Sequence, residues 1–104
     1  RVTGGLLGQW AVGTKAAVEL LHRIHAGQTP LSLLLALGTQ LTDLNAALFD
    51  SANHFHGCIA GIHEVLRRQG RMKGIWCLDD SESLSPGQME EIDRVCAAYP
   101  HLLE

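Results

Sequence analysis

Apolar positions recur at steps of three and four along most of this chain, and that spacing predicts helices. Ala17, Leu20, Leu21 and Ile24 line one side of a first helix, with Thr14 as a plausible N-cap and Gly27 as its stop. Thr29-Pro30 opens a second, with Pro30 at the first helical position, where its missing N–H costs nothing. Leu34, Leu37, Leu41, Leu44 and Leu48 follow as the strongest periodic signal in the sequence. A third helix is expected from Phe55 to Gln69, ended by Gly70. Phe55, Ile59, Ile62 and Leu66 share one of its faces. Gly57 and Gly61 share another and would permit a close backbone approach. After an irregular stretch holding the apolar patch Ile75-Trp76-Cys77-Leu78, Ser85-Pro86-Gly87-Gln88 starts a fourth helix. Ser85 and Gln88 match a capping box, Pro86 takes the first helical position, and Met89, Ile92, Cys96 and Tyr99 form the buried stripe.

Ahead of the helices, Val2-Thr3-Gly4-Gly5-Leu6-Leu7-Gly8 reads as one short strand running into a glycine-bearing loop. The expectation is therefore a mostly α chain, one short strand plus about four helices. A lone strand cannot satisfy its own backbone groups. Together with a start at Arg1 in place of an initiator Met, this leaves two expectations: either the strand is misread, or the chain is part of something larger.

Composition narrows the function classes. The 104 residues suffice for one small domain, and 46 % are apolar, enough for a core. A net charge of −3 and a pI near 6.0 argue against nucleic acid, whose binding needs a basic face to displace counterions. Cys58, Cys77 and Cys96 are odd in number and widely spaced, and read as reduced thiols of a cytoplasmic protein. The start shows no basic-then-apolar leader. The longest apolar run, Leu33 to Leu37, is far below the roughly 18 residues of a membrane span, so no membrane partner is expected.

Few side chains suggest chemistry. His54, His56 and Cys58 are all zinc-capable types, and an extended backbone would put them on one side. On a helix, however, positions two apart point about 200° apart. The competing reading is a helix start, with Asn53 as N-cap and the histidines in the first turn. A fourth ligand would have to come from His63 or Cys77. His22 and His25 could share a helix face, but two ligands fall short of most structural metal sites. Gly4 to Gly8 lacks the Lys-Ser/Thr of a P-loop. Glu90 and Arg94 make an ordinary i,i+4 pair. Lys15 and Lys73, the only lysines, lack an apolar surround that would depress the pKa for imine formation.

Three stretches are familiar together: Leu48-Phe49-Asp50-Ser51-Ala52-Asn53, then Ile59 to Gly70, then Leu84-Ser85-Pro86-Gly87-Gln88-Met89-Glu90-Glu91-Ile92. They resemble the C-terminal third of the dihydrodipicolinate synthase family, within the class I aldolase superfamily. Residues 4–27 resemble that family's last barrel strand and the helix after it. The sequence departs from the family where Asn53-His54-Phe55-His56 stands in place of Asn-Pro-Ile-Pro, and where Gly8-Gln9-Trp10 replaces small residues. The resemblance implies that residues 1–28 are the last strand and helix of a (β/α)8 TIM barrel and that 29–104 are its helical extension. It implies a lyase of the Schiff-base aldolase type acting on a keto acid such as pyruvate. The imine is the electron sink, so no cofactor is implied. The Schiff-base lysine and the proton-relay tyrosine would lie on earlier strands, so no catalytic residue falls in this chain. Leu6, Leu7, Gly8, Gln9 and Trp10 would line the substrate pocket. The complete protein would be a homo-oligomer, with the Gly57/Gly61 face as a candidate subunit contact. Two other readings stand beside it: a free-standing helical interaction module, and a small metal-binding helical protein using His54, His56 and Cys58.

Overall fold

The Leu stripe of the second helix organises the core. A computed structural model describes residues 3–103; Arg1, Val2 and Glu104 lie outside the described residues. Its helices are α1 (Trp10–Ala26), α2 (Leu31–Leu48), α3 (Cys58–Arg68) and α4 (Gln88–Ala98), with 3-10 turns at Ser51–Asn53 and Pro100–Leu102. Among the described residues there is no strand. The expected strand is corrected for Thr3 to Gly8: no segment of the fold is placed to pair with it, and an unpaired strand leaves its backbone groups unsatisfied. Val2, its first residue, lies outside the described residues.

Leu44 and Leu48 of α2 are fully buried against Val65 of α3 and Ile92 and Val95 of α4, and Val12 and Leu102 close the cluster. Burying one such aliphatic side chain stabilises the fold by about 1.5–3 kcal/mol. Leu41, Ile62, Leu66, Cys96 and Tyr99 pack around it half-buried. One expected stripe is rotated and another is widened, with Ile92, Cys96 and Tyr99 inward as expected. On α3 the buried residues are Ala60, Gly61, Glu64 and Val65, while Phe55 and Ile59 are exposed. On α4 Gln88 and Val95 join Ile92 inside, while Met89 sits at the exposed edge.

Close backbone contact explains the rotation of α3. A Cβ placed on Gly61 would lie 2.1 Å from the Leu48 carbonyl oxygen, and one on Gly57 would lie 2.9 Å from an Asp50 carboxylate oxygen. The Gly57/Gly61 face is therefore filled from within the chain and is no free subunit contact.

Helix starts also differ from expectation. Helix α1 begins at Trp10 and breaks at Gly13 (φ −131, ψ 35), and the Thr14 hydroxyl donates back to the Trp10 carbonyl instead of capping. Pro30 is the residue before α2, not its first turn. Ser85-Pro86-Gly87-Gln88 is a type II turn, with Gly87 at φ 82 and Gln88 N–H donating to the Ser85 carbonyl. Only half of the capping box forms: Ser85 N–H donates to Gln88 Oε1 at 3.0 Å.

The start of α1 is pinned to the far end of the chain. Gln69 Nε2 donates to Val12 O at 2.7 Å and Leu103 O at 2.5 Å, and Gln9 Nε2 reaches Leu102 O at 3.5 Å. Beyond Gly13, α1 and the first half of α2 project from the core, giving a molecule of 45 × 23 × 22 Å. Among the described residues α2 alone is long and apolar enough to cross a membrane by length and composition, which the run Leu33 to Leu37 did not reveal. Its C-terminal half is spent in the core, where Leu44 and Leu48 pack.

Candidate functional site

The five pocket residues expected from the resemblance divide between solvent and core. Leu6 is 99 % exposed and Leu7 is also exposed. Gly8 backs onto the Phe49 ring, which a Cβ would meet at 3.3 Å. Gln9 is buried and bonded to the C-terminal turn, and Trp10 begins α1. Leu7 and Trp10, with Leu20, Leu21, Leu37 and Leu41, line an apolar hollow of about 170 Å³ between the two projecting helices. It carries no acid, base or nucleophile and is suited only to apolar side chains.

The metal candidates are not brought together. His54 and His56 are exposed on the loop after the 3-10 turn, while half-buried Cys58 opens α3. No group of three or more His, Cys, Asp and Glu side chains able to hold a metal ion forms among the described residues. The helix-start reading needs correction as well. His54 and Phe55 adopt left-handed backbone at φ 53 and 63, so residues 54 and 55 interrupt the helix rather than begin it.

What organises this loop is Asp50, which sequence reasoning passed over. It sits at φ 57, a left-handed conformation that Asp tolerates better than most residues. Its buried carboxylate accepts from Gly57 N–H at 2.9 Å, Asn53 Nδ2 at 2.6 Å and the Ser85 hydroxyl at 2.5 Å. Burial pushes the Asp50 carboxyl up, but the bonds from Asn53, Ser85 and Gly57 outweigh it and hold the group below its ordinary value. Gln88 completes the cluster by donating to Gly57 O at 3.0 Å. Every member bonds within the chain, so the cluster is a latch joining the 50–57 loop to the start of α4. Its sequence signal was the Ser85/Gln88 pair, read there as a cap.

Two ion-pair groups flank the core. Fully buried Glu64 receives Arg67 and Arg68, at 2.7 Å each; the hydrogen bond from Arg67, helped by that from Arg68 and by both positive charges, outweighs the upward push of burial and brings its carboxyl to about 2. Asp43 receives Arg94 at 2.8 Å and the Tyr99 hydroxyl at 2.8 Å, which bring it to about 2. Arg94 pairs with Asp43 and Glu91, not with Glu90 as its spacing suggested.

Among the described residues one thiol–imidazole contact is present, Cys77 Sγ to His63 Nδ1 at 3.8 Å. Burial and the negative charge of Glu82 raise the Cys77 thiol, which keeps it protonated near neutrality. The pair is therefore no activated nucleophile.

No protein-family model matches this chain, and neither do curated proteins nor solved structures.

Proposed function

We propose that this chain is the C-terminal part of a Schiff-base aldolase or lyase of the dihydrodipicolinate-synthase type. In this reading residues 1–28 are the last strand and helix of a TIM barrel, and residues 29–104 are the helical extension that packs its outside. The complete cytoplasmic enzyme acts on a keto acid such as pyruvate through an imine-forming lysine outside these 104 residues. The supporting observation is an imbalance of burial. Leu6 stands in solvent on a segment that pairs with no strand among the described residues, and Leu7, Val18 and Ile24 are only partly covered. An apolar segment and helix face of this kind are what neighbouring barrel strands would cover.

The test is borohydride trapping with pyruvate, run on this chain and on the product of the whole reading frame that encodes it. The expected result is no adduct on the 104 residues and a covalent adduct on a lysine upstream of Arg1. A frame encoding nothing further upstream, or a full product that never traps, would overturn the reading. The closed cluster of Leu44, Leu48, Val65, Ile92 and Val95 favours one rival, an independent helical interaction module. That module would fold alone with a cooperative melt and show no imine chemistry.

A further inference from the structure

Helix α1 is broken at one residue, and the two sides of the break are held very differently. Gly13, at φ −131 and ψ 35, lies outside the helical range with helix on either side. The turn before it is anchored. Val12 is 2 % exposed in the core, and the buried Gln9 turns its amide to Leu102 O. The arm after it, from Thr14 to Ala26, has no buried residue. Its inner side, with Ala16, Ala17, Leu20 and Leu21 half-buried, does no more than line the apolar hollow shared with Leu37 and Leu41.

Helix kinks have local causes, and one of them is a side chain inserted into the ladder of i→i+4 bonds. Helix α1 contains no proline. The group at its ladder is Gln69, whose Nε2 donates at once to Val12 O at 2.7 Å and to Leu103 O at 2.5 Å. The break also seats Gly13 against the C-terminal turn, so closely that a Cβ there would lie 2.5 Å from Leu102 O and 2.5 Å from Gln9 Nε2. Both causes of the bend therefore come from outside the helix. Helix formation is cooperative, so a segment with no breaker of its own continues through once an outside constraint is removed.

We infer that the C-terminal turn, acting through Gln69, is a catch that holds α1 bent, and that α1 has a second, straight conformation. In the straight conformation the arm takes another direction, and the hollow between it and α2 is taken apart. The bonds from Gln69 and the fit of Gly13 under Leu102 O select the bent state. Regular helical geometry through residue 13 selects the straight one. Burial of Val12 keeps the first turn docked in both, so the movement belongs to the arm, where no buried residue resists it. This inference does not rest on the barrel reading.

Residual dipolar couplings of the nitrogen-15-labelled folded chain test it, in the parent and in Gln69→Ala and Gly13→Ala. The first variant removes the inserted amide. The second adds a methyl group for which the bent geometry has no room and which a straight helix favours. The parent couplings should fit the bent arm. In the variants the couplings of Thr14 to Ala26 should turn by about 20° or more, the size of a sharp kink, relative to α3 and α4, whose own couplings stay as in the parent. If one variant folds poorly, the other serves. A parent whose arm is already straight overturns the inference. So does a bend kept in a folded variant, which would make the kink intrinsic to α1. Loss of the α3 and α4 pattern in both variants also overturns it, since Gln69 and Gly13 would then be parts of the core and not a catch on the arm. None of these results bears on whether a longer product traps pyruvate.

Discussion

The two ends of helix α2 belong to different kinds of environment. From Leu44 to Leu48 it is enclosed by α3 and α4, and the adjoining backbone is held so closely that Gly61 has no room for a methyl group. From Leu31 to Gly38 the same helix is mostly exposed: Leu31, Leu33 and Leu35 stand in water, while Leu34 and Leu37 are half-buried. Both ends have the same Leu-rich composition. Burial therefore follows from what the rest of the chain brings to each end.

The largest expected difference comes from adding bulk to a glycine in each region. Gly61→Val drives side-chain carbon into the Leu48 carbonyl and Gln88 Nε2, at 2.1 and 2.8 Å from the first atom alone. It should cost at least the upper end of the usual overpacking range, about 3 kcal/mol. Gly38→Ala meets nothing within 4 Å and should instead gain about 0.5–1 kcal/mol from helix propensity. Urea denaturation reads both, and equal effects would mean that the two ends are not distinct.

A smaller effect is expected at the latch. Asp50→Asn keeps the shape and the tolerance for left-handed backbone but removes the charge, and turns an amide N–H toward donors. A loss of about 1–3 kcal/mol is expected, as for one unsatisfied buried group. Exchange of the Gly57 amide should quicken, since Asp50 is its acceptor. An unchanged exchange rate would show that the loop is held by something other than this carboxylate.

The most gradual effect is acid. Asp43 and Glu64 are brought from 3.8 and 4.5 to about 2 in the folded chain. Below about pH 4 the unfolded chain binds protons that the folded chain refuses, so stability is present above that range and is lost as pH falls toward 2. Chemical denaturation at stepped pH should show this decline. Arg94→Gln should flatten part of it by releasing Asp43, leaving the Glu64 part intact.

Helix number was legible in the sequence, because steps of three and four need only count apolar residues. Gly27 and Gly70 were legible as stops because both hold left-handed φ, at 68 and 74, that other residues resist. The rotation of α3 was not legible. Phe55 and Ile59 look like core residues by type, and only the fit of Gly57 and Gly61 against α2 and Gln88 turns them outward. The expected pocket residues Leu6 to Trp10 were separated by a similar effect: Gln9 is drawn in by the Leu102 carbonyl, while Leu6 finds nothing to cover it.

By itself the sequence determined four amphipathic helices and a Leu-rich core, since these depend on residue type and local spacing. Tertiary structure alone decided that Asp50, Asn53, Gly57, Ser85 and Gln88 form one buried cluster and that half of α2 is left mostly exposed. Those outcomes depend on hydrogen bonds and close contacts between residues up to 41 positions apart, as between Gln88 and Ala47, and local periodicity carries no record of them.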